Sequence, residues 1–143
     1  MLVKVRRIND EAILPTRGSL QAAGYDLYSP SEAYVPPHET VKISIGWAIA
    51  VPEGYFGGVF ARSGLAAREG LRPANCVGVI DSDYRGEVIV ALHNDSDMER
   101  HIEKGERVAQ LILIPVPEVE LEETDILDET ERNTGGFGST GKL

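Results

Sequence analysis

Residues 40–51 read TVKISIGWAIAV, and this stretch indicates how the chain folds. Polar and apolar side chains alternate over Thr40–Ile45, which is the period-two pattern of a half-buried β-strand. An unbroken apolar run, Trp47–Val51, follows after one glycine. We therefore interpret the stretch as two consecutive short strands.

Short extended stretches of the same kind, separated by Gly, Pro, Asn and Asp, recur along the chain. The further predicted strands are Val3–Ile8, Tyr25–Ser29, Tyr55–Ala61, Asn75–Ile80, Glu87–His93, Val108–Ile114 and Val116–Leu121. About nine short strands with turn residues between them are typical of an all-β protein. We predict a jelly-roll-like β-sandwich or barrel.

One internal segment, 63–70, has the composition of a helix, and it is barely two turns long. Ser63 is suited to cap the N-terminus of this helix and Gly70 to end it. Backbone N–H groups at a helix start attract anions. Arg62 and Ser63 are therefore candidate anion contacts, with an ordinary capped connector as the alternative.

The charge of the chain is strongly uneven. Its 143 residues carry a net charge of −9, with 42% hydrophobic content, which fits one soluble domain with a core. Residues 118–131 hold only acidic charges, whereas acids and bases nearly balance in the remainder. Duplex DNA and anionic membranes need a basic footprint, so neither is expected as a partner. An anionic small ligand remains possible beside local arginines or a metal.

Cysteine and histidine usage argues against disulfides and structural zinc. Cys76 is the only cysteine, so no intrachain disulfide is possible. His38, His93 and His101 are scattered and lack further ligands at zinc-site spacing. The N-terminus lacks the apolar segment of a signal peptide, and no apolar run is long enough to cross a bilayer. We expect a cytoplasmic location.

The C-terminal residues 132–142, RNTGGFGSTGK, combine one arginine, one aromatic ring, three hydroxyls and four glycines. Glycine lets backbone N–H groups approach phosphate oxygens, and Arg132 could form a two-pronged bond to a phosphoryl group, while Phe137 could stack on a base. A disordered tail is the alternative. We predict a β domain over 1–121, followed over 122–143 by an acidic linker and a flexible, Gly-rich C-terminal arm.

The segment Gly78–Glu87 reads as a hairpin with a polar tip between two apolar strands. Asp81 follows an apolar pair directly, so we expect it to be partly shielded and able to accept a proton from water. An aspartate bonded to its own turn backbone is the alternative. Tyr84 could likewise do no more than pack across the strand pair.

Five separated segments resemble, in order, the motif set of the trimeric dUTP pyrophosphatases (dUTPases). They are Ala23–Ser29, Arg62–Ala66, Gly78–Gly86, Gly105–Leu111 and Arg132–Gly141. The chain departs from the family pattern at two positions. Ala61 stands where many members have proline, and Asn133 stands where glycine often follows the arm arginine. The second difference concerns how the arm folds over a ligand.

The resemblance implies hydrolysis of dUTP to dUMP and pyrophosphate, with attack of water at the α-phosphorus and no covalent intermediate. This reaction would limit uracil incorporation into DNA and supply dUMP for dTTP synthesis. Asp81 would activate the water, Gln110 would contact the α-phosphate or that water, and Arg132 would assist in the transition state. For Gln110 the alternative is a polar strand residue.

The resemblance also implies a substrate site and a cofactor. Residues expected to bind dUTP are Arg62, Ser63, Gly64, Asn75, Val79, Ile80, Asp81, Tyr84, Ile89, Arg132, Phe137, Gly138 and Ser139. The base would pair with the hairpin backbone and Asn75, and the Tyr84 ring would exclude a ribose 2′-hydroxyl. Mg²⁺ would be held mainly by the phosphates, with Asp26 acting through water unless it is a structural turn residue.

The same family likeness implies a homotrimer in which each of three active sites draws on three chains. Fully extended, the acidic linker could reach about 45 Å, which is enough to cross to a neighbouring subunit. Two other functions stay open at this point. One is a dCTP deaminase-like enzyme of related fold, and the other is a non-catalytic, dUTP-sensing regulatory binder.

Overall fold

Strands dominate the computed structural model, which describes residues 1–142. They are β1 (Lys4–Arg7), β2 (Tyr25–Tyr28), β3 (Ala33–Val35), β4 (Thr40–Ala50), β5 (Tyr55–Phe60), β6 (Leu71–Pro73), β7 (Gly78–Ile80), β8 (Glu87–Asn94), β9 (Arg100–Ile102) and β10 (Arg107–Pro115). The helical element of the described range is a single π-helical turn, Leu65–Glu69. The prediction of an all-β chain with one very short helix is confirmed.

The strands form two four-stranded antiparallel sheets and a two-stranded one. The strand orders are β1-β4-β8-β6, β2-β10-β5-β7 and β3-β9. Side chains from both large sheets, such as Ile45 and Leu92 from one and Leu27 and Leu111 from the other, are buried in one hydrophobic core. This is the predicted jelly-roll-like sandwich.

Strand β4 corrects the prediction of two strands at 40–51. The segment is one strand of 11 residues whose pairing with β8 shifts register between Ser44 and Ala48. Gly46 lies within that bulge at a φ of 81°, and an added Cβ there would lie 2.5 Å from the Ala12 Cβ. The glycine interrupts the periodicity because it bends the strand without ending it.

Two further predictions at the strand level were wrong. Val116–Leu121 forms no strand, because Pro115 and Pro117 lack N–H donors and the segment has no neighbouring strand. The predicted strand Asn75–Ile80 is shortened to its last three residues. The strands β3, β6 and β9 were not predicted, since three residues are too few to show a period.

The helical segment begins at Ser63 itself, because Ser63 and Gly64 are already α-helical directly before the π-helical turn. Gly64, in a helical conformation, occupies the N-cap position, and no side chain caps the turn, so Ser63 is not the cap. Gly70 ends the turn as predicted, in a left-handed conformation with a φ of 71°, and its N–H donates to the Leu65 carbonyl.

Residues 117–142 contain neither strand nor helix and are mostly exposed. The last residue of the predicted arm, Leu143, lies outside the described residues. Between Met1 and Lys142, the structure has no helix with the length and apolar character needed to cross a membrane.

Candidate active site

A cavity of about 220 Å³ opens beside the hairpin that joins β7 to β8. Six of the predicted substrate-binding residues line it: Asn75, Val79, Ile80, Asp81, Tyr84 and Ile89. We call it the hairpin pocket. The hairpin thus brings together the residues predicted to contact the base, the sugar and the attacking water.

The wall of the hairpin pocket is an edge strand. Among the described strands β7 pairs only with β5, so the backbone N–H and C=O groups on its other side are free to bond a planar ligand. Val79 and Ile89 are 63% and 47% exposed and supply apolar contact, whereas the Ile80 side chain is buried and contributes backbone alone. Such a strand edge can read the donor and acceptor pattern of a base.

The Asp81 carboxylate is uncommitted. Its side chain forms no hydrogen bond with any residue in the range 1–142, and only its carbonyl is used, as acceptor from the Tyr84 N–H at 3.1 Å. The expected alternative of a carboxylate bonded to its own turn is therefore not observed. Asp81 is exposed in the single chain, so the predicted partial shielding is not provided by its own subunit.

Tyr84 is fixed against the hairpin. Its hydroxyl donates to the Glu87 carbonyl at 2.9 Å. The ring occupies the space of a side chain at position 86, because a Cβ added to Gly86 would lie 2.6 Å from the ring carbon that bears the hydroxyl. Gly86 is therefore required by this ring position. The anchored ring is an exposed wall of the hairpin pocket and can discriminate by shape.

A second cavity, of about 460 Å³, lies beside the helical turn, and we call it the basic pocket. Arg62 and Gly64 line it together with three basic residues that the sequence analysis did not single out: Arg68, Lys104 and Arg107. Ser63 is exposed next to it. The signal for Arg107 was present, because it lies inside the fourth motif-like segment.

Asp26 is paired with two arginines at the basic pocket. Its Oδ1 accepts from Arg62 Nε at 3.1 Å and its Oδ2 from Arg107 Nη1 at 3.4 Å, and its side chain is 17% exposed. One carboxylate between two guanidinium groups leaves one positive charge in this cluster, which can attract phosphate, although Glu69, Glu103 and Glu106 also line the pocket. Asp26 lies in strand β2, whereas its alternative was a structural residue in a turn.

Gln110 connects the strands to the helical turn. Its Nε2 donates to the Ala61 carbonyl at 2.9 Å, directly before Arg62. Gly24 leaves the space that the Gln110 side chain occupies, because an added Cβ would lie 3.1 Å from its Cδ. The first, second and fourth motif-like segments therefore meet at one place.

The structure does not bring Gln110 and Asp81 of one chain together. Ile80 pairs with Gly57 on one side of β5, and Gln110 pairs with Phe60 on the other side. Three residues along a strand and two strand spacings separate Ile80 from Gln110 by about 10 Å in each direction, and Asp81 lies one residue farther away. One water molecule cannot contact both side chains of the same chain.

The four predicted arm residues, Arg132, Phe137, Gly138 and Ser139, are exposed and line neither pocket. Hydrogen bonds of this part of the arm run between its own residues. Phe137 is fully exposed. The single chain thus shows the arm away from the residues it is expected to cover.

The described site residues form no protein cage for a divalent cation. Within the described range there is no cluster of three or more His, Cys, Asp or Glu side chains able to hold a metal. Glu69, Glu103 and Glu106 line the basic pocket, and Asp26 beside it is already contacted by two arginines. This donor set fits Mg²⁺ held mainly by ligand phosphates and waters rather than by a protein cage.

Comparisons with known proteins agree with these features. A family model described as dUTPase matches residues 10–141. The deoxyuridine 5′-triphosphate nucleotidohydrolases of Yarrowia lipolytica and of a Hydrogenobaculum species are each 46% identical to the chain. Each alignment covers 99% of this chain, and it covers 90% of the Yarrowia protein and 99% of the Hydrogenobaculum protein. The solved structure of Staphylococcus bacteriophage 80alpha dUTPase with dUPNHPP superposes with a TM-score of 0.91 at 29% identity, covering 99% of both chains.

Proposed function

Because this chain belongs to the dUTPase family, we propose that it is a dUTP diphosphatase that converts dUTP and water into dUMP and pyrophosphate by attack at the α-phosphorus. The observation that carries the proposal is the hairpin pocket. There an uncommitted carboxylate, an anchored tyrosine and an open strand edge line one cavity.

Asp81 is the proposed general base. Its free carboxylate accepts a proton from a water molecule and directs the oxygen at the α-phosphorus, and the bond to the bridging oxygen of pyrophosphate breaks. No side chain becomes covalently attached. Since Asp81 is exposed in the single chain, its shielding would come from substrate and neighbouring subunits.

The hairpin pocket supports selection of uracil deoxynucleotides. The free backbone groups of β7 and the Asn75 amide can pair with N3–H and O4 of uracil, whereas cytosine reverses this donor and acceptor pattern. Mismatched polar groups let a site reject an analogue by about 10⁴ to 10⁵. The fixed Tyr84 ring would lie against the sugar and leave no room for a 2′-hydroxyl.

The basic pocket is the proposed triphosphate site. Arg62, Ser63 and Gly64 would contact the phosphates, with Gln110 at the α-phosphate, and the net positive charge around Asp26 would hold them. Asp26 would hold Mg²⁺ through bound waters, and the cation would lower the charge of the triphosphate. Arg107 is added to the predicted set because it shares the Asp26 carboxylate.

A homotrimer with shared sites is supported by the distance between the two pockets. The strand register separates Asp81 and Gln110 of one chain too far for both to act on one phosphorus atom. A site built from the hairpin pocket of one subunit and the basic pocket of another removes this difficulty. The arm of a third subunit would close it, with Phe137 over uracil and Arg132, Gly138 and Ser139 at the β- and γ-phosphates.

Pyrophosphate release from dUTP, UTP, dCTP and dTTP, each with and without Mg²⁺, tests the function. We expect rapid release from dUTP alone, and slower release when Mg²⁺ is removed. Ammonia release from dCTP would indicate a deaminase instead, and dUTP binding without pyrophosphate would indicate a sensing protein. A cytoplasmic location stays a prediction, which cell fractionation would test.

A further inference from the structure

Asn133 has an unusual backbone conformation at the base of the arm. Its φ is 46°, in the left-handed region that glycine adopts freely and that asparagine tolerates better than most residues. The departure from the family pattern noted above, asparagine in place of a common glycine, therefore preserves the backbone conformation that glycine would allow. The side chain is available for a further role.

That role is visible in a pair of hydrogen bonds to Thr130. The Thr130 N–H donates to Asn133 Oδ1 at 2.8 Å, and the Asn133 N–H donates to Thr130 Oγ1 at 3.0 Å. Each side chain thus accepts a bond from the backbone of the other, as in a helix capping box. We call this reciprocal pair the Thr130–Asn133 clamp.

The clamp encloses Arg132 in a closed turn. The Gly135 N–H donates to the Arg132 carbonyl at 3.0 Å, and Arg132 Nε donates to the Gly135 carbonyl at 2.7 Å. The guanidinium is thereby held through Nε, while both terminal nitrogens make no hydrogen bond to any residue in the range 1–142. Two free terminal nitrogens are the donors that a phosphate takes.

Arg132 is not paired with its acidic neighbours. Glu129 and Glu131 flank it in the sequence, yet Arg132 forms no ion pair within the part of the chain that the structure describes. An arginine paired with a local carboxylate would have to exchange that partner for a phosphate. A turn that holds the guanidinium outward avoids this exchange.

We propose that Thr130 and Asn133 are positioning residues, which fix the Arg132 turn in a phosphate-binding conformation before the arm closes. This inference depends on the proposed role of Arg132 in dUTP hydrolysis. Because the turn is already formed, fewer backbone torsions need to be ordered on closure. Closure of the arm is therefore more favourable than for a chain without the clamp.

Substitutions at both ends of the clamp test the proposal by steady-state kinetics with dUTP. Asn133→Ala removes the bond and the tolerance of positive φ, so we expect kcat/KM to fall about 5- to 10-fold. Asn133→Gly keeps the conformation and loses the bond, and Thr130→Val loses the hydroxyl acceptor, so each is expected to lower kcat/KM about 2- to 5-fold. Asn133→Asp retains the acceptor oxygen, so its kcat/KM should be close to that of the unchanged protein.

Thr124→Val is the matched control. Thr124 lies in the acidic linker before the arm and forms local bonds with Ile126, at 3.1 and 3.4 Å, outside the clamp. Its kcat/KM should equal that of the unchanged protein. The loss of one hydrogen bond predicts a larger decrease in kcat/KM than about twofold. If the Thr130 and Asn133 variants also stay within about twofold of the unchanged protein, the clamp has no positioning role.

A double substitution separates the inference from the proposed function. In an Arg132→Ala background, adding Asn133→Ala should cause no further loss, because the clamp acts through the arginine. An equal further loss would show that Asn133 acts independently and would overturn the inference. If Arg132→Ala alone leaves turnover unchanged, the proposed role of the arm arginine fails, and the inference fails with it.

Discussion

At the scale of single residues, the uncommitted carboxylate of Asp81 is the main chemical feature. We expect Asp81→Asn to bind dUTP while turnover falls by about 10² to 10⁴, because the amide cannot accept the proton from water. Calorimetric binding of an unhydrolysable dUTP analogue and pyrophosphate release would measure the two effects. Asp83→Asn, in the same exposed turn, is the matched control and should keep its activity.

An ion pair away from both pockets makes stability depend on pH. Arg72 donates to Asp95 from Nε at 2.6 Å and from Nη2 at 3.1 Å, and this hydrogen bonding lowers the pKa of Asp95 below its ordinary value of 3.8. A carboxyl group whose pKa is lower in the folded state than in the unfolded state stabilises the fold at pH values above its unfolded-state pKa. This contribution is lost as the pH falls through the folded-state pKa.

The prediction from this pair concerns acid unfolding. We expect Asp95→Asn to be less stable than the unchanged protein at neutral pH and to approach it as the pH falls below about 4. Urea unfolding at a series of pH values would measure the difference. Because both side chains are substantially exposed, the effect should be small and reduced by salt. A difference that grows toward acid would contradict the assignment.

At the scale of secondary structure, the bulge in β4 is set by one glycine. Gly46→Ala would impose both a positive φ and a clash with Ala12, and we expect it to lower the free energy of unfolding by about 2–4 kcal/mol. Gly54→Ala is the control, since its φ of 83° is similar but nothing lies near the added Cβ. Urea unfolding at equal protein concentration should show the smaller loss for Gly54→Ala. Equal losses would mean that packing against Ala12 is unimportant.

The arm is the second element whose removal can be tested. We expect truncation after Glu131 to leave weak dUTP binding and to abolish most turnover, because the fold does not depend on the exposed residues beyond it. Circular dichroism would check that the β domain is intact. Undiminished turnover would refute the closing role of the arm.

At the scale of the whole molecule, the separation of the two pockets predicts complementation between inactive variants. Asp81→Asn and Gln110→Ala should each lose activity when homogeneous. Co-expressed at equal amounts, they should regain about one quarter of full activity, because a shared site then joins an intact Asp81 of one subunit to an intact Gln110 of another. If all catalytic groups of a site belonged to one chain, mixing would restore nothing.

The sequence by itself determined the features that depend on local chemistry. Alternation of side chains predicted most of the longer strands, and the residue types of the hairpin Gly78–Glu87 singled out Asp81 and Tyr84. The other four predicted residues that line the hairpin pocket, Asn75, Val79, Ile80 and Ile89, were implied by the resemblance to the dUTPases. Period and turn composition are properties of neighbouring residues, so they can be recognised without a partner. The strands β3, β6 and β9 gave no such signal because three residues are too few.

Only the tertiary structure decided which segments meet. Pairing of β10 with both β2 and β5 brings Gln110 close to Asp26 and Arg62, which are far from it in the chain, and gives Asp26 its two arginine partners. The same pairing holds Gln110 away from Asp81 within one chain. Such distances depend on strand register between remote segments, which local side-chain patterns do not encode.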